Sequence, residues 1–196
     1  MEGYFSIKVK FVMTVLLAVL LYVSYLYVFK EQRPTDFSLS KDCTPMQIEE
    51  ESTKANQFFD RYFEERVLRN PEWQSALGRK EQHNEWTSWT EEAAEVEYGY
   101  SQKMLNYLED SILLSCLDDP TLLSARLLKD KLKGILSAYD YRYHNYPINS
   151  IDGAHLKIVS ILVEEHAIAD LRDAEAYISR VQKLDKKVEE LSEQLE

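Results

Sequence analysis

A run of aromatic and polar side chains at Tyr139–Pro147 has the greatest capacity for chemistry in this sequence. It reads YDYRYHNYP and places four tyrosines, an arginine and a histidine within nine residues. Phenol and imidazole groups at the end of a helix line a substrate groove in some proteins, and in others they pack with their hydroxyls at the surface. The residues themselves favour packing, and the groove stays open as the alternative. The candidate groove or packing residues are Tyr143, His144, Asn145, Tyr146 and Pro147.

The four histidines do not have the spacing of a zinc site. A helical zinc motif of the form H-E-x-x-H places two ligands one turn apart, with a glutamate beside the first. Glu165-His166 matches the end of the inverted motif H-x-x-E-H, but Leu162 occupies the position of the first ligand. We therefore predict no metal site and no cofactor in this chain. We expect the histidines to be four separate surface or pocket side chains: His83, His144, His155 and His166.

Clusters of glutamates are the other candidates for acid–base chemistry. They lie at 49–51, 64–65 and 91–92. Adjacent residues point to different faces of a helix, and several of these acids fall in first turns, where the helix dipole favours negative charge. We interpret them as solvated faces and helix caps. Since the sequence also lacks a glycine-rich phosphate loop and a G-x-S-x-G motif, we predict no catalytic residue.

A membrane anchor is predicted at the amino terminus. Residues 11–29 contain no charge, proline or glycine, and lysines 8, 10 and 30 flank them. As a helix this run is about 28 Å long, close to the hydrocarbon thickness of a bilayer. A secretory signal has a shorter apolar region that ends in small residues, whereas this run ends in YLYVFK. We predict a single uncleaved span in the bilayer, with the rest of the chain on the non-cytoplasmic, periplasmic side.

Composition bounds the remainder of the chain. The net charge of the chain is −11. Residues 1–45 hold five basic and four acidic side chains, a balance of +1, so residues 46–196 have a net charge of −12. An acidic domain repels phosphate backbones, so nucleic acid is not an expected partner. With only 5 glycines, 5 prolines and no β-branched alternation, the fold class is predicted to be all-α. The two cysteines, Cys43 and Cys116, are expected to be a linker thiol and a buried thiol, although an oxidising exterior would permit their pairing.

Three regions follow from these patterns: an anchor with a short tail at 1–30, a linker at 31–45 and an α-helical, bundle-like domain at 46–196. In the domain, apolar spacing predicts a helix that stops at Asn70-Pro71, a short helix before Gly78 and a loop at 79–89. Three further helices are predicted. One runs from Thr90 to about Cys116, one from Asp118 to 145–147, and one is capped by Asp170 or Asp173.

The last helix carries an apolar seam that continues almost to the final residue. Its members recur every three or four residues, in the manner of the a and d positions of a coiled coil: Ile178, Val181, Leu184, Val188, Leu191 and Leu195. The apolar side chains of such a seam have to be buried against another surface. That surface would come from other helices of this chain, from a second chain, or from a missing continuation of a larger domain. A homo-oligomer or a partner helix at 178–196 is therefore one expectation.

Four segments give the chain a resemblance to a known family. They are NQFF at 56–59, NPEWQ at 70–74, YHNYPIN at 143–149 and DAEAYISR at 173–180. Their order resembles the amino-terminal part of the bacterial "domain of unknown function 885" family, whose members are typically secreted or lipid-anchored helical proteins. The resemblance covers about residues 54–196 and is loose after Gly153. The predicted uncleaved anchor differs from the export signal that is usual in the family.

The resemblance implies a protein like the zinc-dependent helical peptidases, whose metal motif His-Glu-x-x-Pro-Gly-His lies in the carboxy-terminal half of a longer domain. No residue of this chain corresponds to those ligands, so zinc is expected only in full-length members. The chain is then expected to be a truncated, catalytically inactive front portion, either a truncated gene product or a short paralogue. The alternative is a single-pass interaction or scaffold protein that oligomerises through its carboxy-terminal helix.

Overall fold

A computed structural model describes residues 43–144, 146–151 and 153–195, together with Val19, Leu20, Tyr22 and Ser24. By contact density the chain divides into Met1–Lys41 and Asp42–Glu196. In the second unit every regular element that the structure describes is helical, which confirms the all-α prediction. The α-helices are α1 Pro45–Leu68, α2 Pro71–Ala76, α3 Glu91–Ser111, α4 Asp119–Ala138, α5 Ala154–Ser160, α6 Leu171–Gln182 and α7 Leu184–Glu193. Short 3₁₀ turns occur at Leu114–Cys116 and Tyr139–His144, and a π-helical turn at Ile161–Glu165.

Polar caps set most of the helix starts. Thr44 forms a capping box with Gln47 at the start of α1, and Asn70 accepts a hydrogen bond from the Trp73 amide at 2.7 Å to begin α2. Thr90 and Asp118 cap α3 and α4 in the same way, as predicted. Asp170 and Asp173 act together in a capping box for α6, which resolves the two predicted alternatives.

Two helices end earlier than predicted. The backbone leaves the helix at Ile112, which has extended dihedral angles and a buried side chain, so α3 ends at Ser111 and not near Cys116. The α-helical part of α4 ends at Ala138, and a 3₁₀ turn continues to His144. In both places apolar residues continue past the true end, so hydrophobic spacing alone did not mark it.

The hydrophobic core lies between α1, α3 and α4. Its most buried members are Ala55, Phe58, Leu108, Leu117, Ala125 and Leu132. The rings of Phe58 and Tyr107 stack across α1 and α3 with their centroids 4.7 Å apart. Fully burying a leucine or phenylalanine side chain contributes about 1.5–3 kcal/mol, so Phe58, Leu108, Leu117 and Leu132 each add substantially to the stability of the domain.

The two cysteines form a disulfide, which corrects the prediction of two separate thiols. Cys43 and Cys116 have Cα atoms 5.7 Å apart, within the usual range for a bridge, and neither cysteine is free. The early end of α3 explains the pairing, because the 3₁₀ turn after it brings Cys116 beside the start of α1. Sequence spacing could not show this approach.

The carboxy-terminal seam is also arranged differently from the prediction. The helix is interrupted at Lys183, between α6 and α7, and Leu191 is buried. The side chains on the outward side are exposed, namely Leu171 (73 %), Ile178 (56 %), Val181 (39 %), Val188 (53 %) and Leu195 (52 %). We call these five residues the terminal face. The inward side instead buries Asp173, Arg180, Lys187 and Glu190.

Among the described residues, none of the helices combines the length and the hydropathy that a bilayer-spanning segment requires. The predicted anchor at 11–29 lies outside the described residues except for Val19, Leu20, Tyr22 and Ser24.

Candidate binding groove around Trp89

A buried arginine joins α6 to α2 and to the loop that follows it. Arg180 is fully buried, and its Nε donates to the carbonyl oxygen of Glu85 at 3.0 Å. Its Nη1 donates to the Ser75 hydroxyl at 2.9 Å and to Nδ1 of His166 at 3.1 Å. The Trp86 ring lies 5.3 Å from the guanidinium carbon, and the Trp86 indole nitrogen donates to the Arg180 carbonyl at 2.9 Å. The planar fork of the guanidinium thus fixes three chain segments at once.

Two histidines lie against this arginine, which corrects the expectation of four separate surface or pocket histidines. The rings of His83 and His166 are buried and stack with centroids 3.6 Å apart, whereas His144 and His155 are exposed as separate side chains. Since arginine only donates, Nδ1 of His166 accepts, and its Nε2 donates to the Asp173 carbonyl at 3.2 Å. Burial lowers the pKa of His166, and the positive charge of Arg180 acts in the same direction.

A second buried cation fixes Trp89. Lys187 is 2 % exposed, and its ammonium lies 3.4 Å from the centre of the Trp89 ring. It donates to the Thr87 carbonyl and pairs with Glu190 at 3.5 Å. Glu190 also accepts from the Trp89 amide at 2.8 Å. Burial lowers the pKa of Lys187 to about 8, while the charge of Glu190 opposes that shift.

Acidic side chains complete the support of the loop. Glu72 on α2 accepts hydrogen bonds from the Thr87 amide at 3.1 Å and from the Thr87 hydroxyl. Lys80 pairs with Asp173 at 2.5 Å, which lowers the pKa of that carboxyl to about 2. These contacts, together with those of Arg180 and Lys187, hold the backbone of residues 79–90 in one conformation although it has no regular structure.

Grooves open on several sides of this fixed loop. One groove has a volume of 650 Å³ and lies between the end of α1, the loop and the start of α3. Arg66, Arg69, Trp89 and Gln194 are among the residues that line it. A smaller cavity of 250 Å³ lies on the other side, where Trp86 and Trp89 face residues of α5 and the π-helical turn. Volumes of several hundred Å³ are typical of small-molecule sites, so the larger groove is the candidate functional site.

Part of the predicted tyrosine cluster borders the same region. Tyr143 and Pro147 line a groove of 190 Å³ together with Trp89 and Glu91. The Tyr143 hydroxyl donates to Glu91, and Arg142 binds the same carboxylate at 2.6 Å, so the pKa of Glu91 falls to about 2.

The other predicted members of the cluster lie apart from that groove lining. The rings of His144 and Tyr141 have centroids 5.5 Å apart, and Tyr146 is 79 % exposed. Asn145 lies outside the described residues. The structure thus brings together two of the five predicted residues, Tyr143 and Pro147, and places both on the wall of a groove.

The residues that position the site were not found by sequence reasoning. Arg180 and Lys187 are separated by seven positions and so lie on one side of their helices, between apolar residues that attracted the seam interpretation. The available signal was two basic residues seven positions apart on the last helices, together with two tryptophans in the 79–90 loop that such cations could contact. No group of three or more potential metal-binding side chains occurs in the part of the chain that the structure describes.

The fold and groove define an all-helical domain built around an ordered, tryptophan-bearing loop. Over residues 71–196 the chain matches the family described as "Bacterial protein of unknown function (DUF885)", and it belongs to that family. The match begins at α2, somewhat later than the start near residue 54 that the sequence segments suggested. No curated protein and no solved structure matches the chain.

Proposed function

We propose that this chain is a membrane-anchored scaffold protein of the DUF885 family that self-associates through its terminal face. The observation that carries the proposal is that the five apolar residues of the terminal face are exposed although four charged side chains of the same segment, Asp173, Arg180, Lys187 and Glu190, are buried. An amphipathic helix in a self-sufficient domain has the opposite arrangement. Several exposed apolar side chains close together in one segment are typical of an interaction surface.

The inward orientation of the charges is fixed by specific contacts. Arg180 and Lys187 donate to carbonyl oxygens of the 79–90 loop, and Lys183 pairs with Glu85 at 2.5 Å. A rotation that buried Val181 and Val188 would remove these hydrogen bonds and leave buried carbonyl groups unsatisfied. Each such group costs about 1–3 kcal/mol, so the terminal face stays available on the outside.

A second copy of the same chain is the partner that the terminal face fits. Leu171 and Ile178 lie seven residues apart on α6, and the same interval in the sequence joins Val181 on α6 to Val188 on α7 and to Leu195 in the turn after α7. Seven-residue spacing is the pattern with which two helices pack side by side. The predicted anchor at 11–29 would hold copies in one plane and raise their effective concentration.

The disulfide supports the proposed location of the domain. A bridge between Cys43 and Cys116 persists in the periplasm or outside the cell, where the surroundings are oxidising. This agrees with a tail-inside anchor and a domain on the non-cytoplasmic side.

We propose further that this chain does not hydrolyse peptides by itself, although the family resembles zinc-dependent peptidases. Both ring nitrogens of His166 are engaged, one by Arg180 and the other by the Asp173 carbonyl. Nε2 of His83 bonds the Ala167 carbonyl at 3.1 Å. A cation at this pair would have to displace these bonds and approach a buried guanidinium. The groove wall at Tyr143 and Pro147 would serve binding rather than bond cleavage.

Cross-linking of the full chain in lipid vesicles tests self-association. Val188→Cys places a free thiol on the terminal face, and Leu127→Cys places one on α4, where Leu127 is 62 % exposed. A short bismaleimide is expected to give dimers with Val188→Cys and monomers with Leu127→Cys. Adding Val181→Glu to Val188→Cys should abolish the dimer, because it buries a charge in the contact.

Equal cross-linking of the two cysteine variants would contradict the proposal, as would dimers that survive Val181→Glu. Incubation of the same preparation with Zn²⁺ and short peptides tests the catalytic part. Chelator-sensitive cleavage would show that the chain is an enzyme after all.

A further inference from the structure

The 650 Å³ groove carries two arginines in an otherwise acidic domain. Arg66 and Arg69 lie one turn apart at the end of α1, and both line the groove. Residues 46–196 have a net charge of −12, so the field of the domain as a whole does not attract anions. An anion that binds here has to gain its affinity from local groups.

Each arginine is already oriented by an aromatic ring. The Arg69 guanidinium carbon lies 4.3 Å from the centre of the Tyr100 ring, and its Nε approaches Glu97 at 3.5 Å. The Arg66 Nη1 donates to the Tyr62 hydroxyl at 3.1 Å, with its guanidinium 5.8 Å from that ring. A guanidinium has five N–H donors in a rigid fork, so these contacts position the two groups without using all their donors.

Part of the groove lining is apolar, namely Trp89, Ala93, Ala94 and Val96. Trp89 is fixed from behind by Lys187 and through its carbonyl oxygen by Gln194, whose amide nitrogen lies 2.5 Å from it. Val96 on α3, 60 % exposed, is another lining residue. A wall that is already ordered loses little entropy when a ligand binds, which favours affinity.

Charge at the rim selects the kind of anion. Glu92 and Glu97 also line the groove, so their two negative charges offset those of the two arginines. A phosphate with two negative charges would be repelled by these glutamates, whereas a single carboxylate can take a bidentate contact with one guanidinium.

We propose that this groove binds an organic acid, whose carboxylate pairs with Arg66 and Arg69 and whose apolar body lies against Trp89. This inference uses residues distinct from the terminal face and does not depend on self-association.

Titration calorimetry on the full chain in lipid nanodiscs tests the proposal, with empty nanodiscs as the blank. The probe is 4-phenylbutanoate, and its neutral amide, acetate and inorganic phosphate are the comparison ligands. The acid is expected to bind, and the amide, acetate and phosphate are expected to bind at least about tenfold more weakly. Arg66→Gln and Arg69→Gln should each weaken the acid about tenfold, since each removes a charge-assisted contact.

Arg61→Gln is the matched control. Arg61 lies on the same helix over the rings of Phe58 and Tyr107, and it is not among the groove residues. Its loss should leave the affinity unchanged, and helical circular dichroism should be equal in all three variants. Equal binding of the acid and its amide, tighter binding of phosphate, or unchanged affinity in both groove variants would each overturn the proposal. Absence of detectable binding of 4-phenylbutanoate to the unmodified chain would overturn the proposal as well.

Discussion

Replacement of Arg180 by methionine is the sharpest test of how the domain is held together. Arg180 is fully buried and donates to the Glu85 carbonyl, the Ser75 hydroxyl and Nδ1 of His166 at 2.9–3.1 Å. Methionine fills a similar volume but donates no hydrogen bond. The substitution therefore removes the cation and leaves three acceptors buried without their donor.

The expected loss of stability follows from those acceptors. An unsatisfied buried polar group costs about 1–3 kcal/mol, and part of this is recovered because the guanidinium no longer has to be desolvated. We expect the free energy of unfolding to fall by about 3–5 kcal/mol, a large share of the 5–15 kcal/mol typical of a domain. Arg180→Lys, which keeps the charge but not the fork, should lie between methionine and the unmodified chain.

Urea unfolding of the full chain in a non-ionic detergent measures this change. Helical circular dichroism reports the whole domain, and tryptophan fluorescence reports Trp73, Trp86 and Trp89 together, of which the Trp86 ring lies 5.3 Å from the guanidinium. The matched control is Arg172→Met, at an exposed site, which should change stability by less than about 0.5 kcal/mol. A loss below about 1 kcal/mol for Arg180→Met would refute the view that this arginine ties α6 to the loop.

Three further predictions concern other parts of the domain. His166 is held neutral with a lowered pKa, so its contribution to stability is complete above pH 6.5 and declines as the pH falls from there toward its folded pKa. For this one proton the free energy of unfolding changes by at most about 1.4 kcal/mol per pH unit. Urea titrations at several pH values should show a smaller pH dependence of that free energy in His166→Phe. Replacing Cys43 and Cys116 by serine should cost about 4 kcal/mol for a bridge spanning 73 positions, and a melting temperature insensitive to reductant in the unmodified chain would contradict this. Gly153→Ala should destabilise by about 1–3 kcal/mol in the same assay, because its Cβ would lie 2.5 Å from the Asn149 carbonyl oxygen, and unchanged unfolding would disprove that crowding.

Local signals in the sequence were sufficient for the starts of several helices. Thr90, Asp118 and Asp170 each precede an acidic or apolar run and cap a helix in the structure. Such caps are short-range hydrogen bonds, so the residues that make them are neighbours in the chain. The family resemblance also rested on short segments, and the family match over residues 71–196 agrees with it.

Long-range contacts could not be predicted in the same way. The apolar periodicity of α6 and α7 was visible, but which side would be buried depended on the carbonyl groups of a loop about a hundred positions earlier in the chain. Arg180 and Lys187 resemble solvated charges until the loop is placed over them. The stacking of His83 with His166 and the pairing of Cys43 with Cys116 have the same origin.

The position of the sulfur bridge has a mechanical consequence. Cys43 precedes the Thr44 cap of α1, and its bond leads directly to Cys116 between α3 and α4. A pulling force that arrives along the preceding polypeptide therefore divides at this covalent branch before it reaches the first turn of α1. The load is shared by two distant stretches of backbone, and the first helix is protected from being peeled away turn by turn.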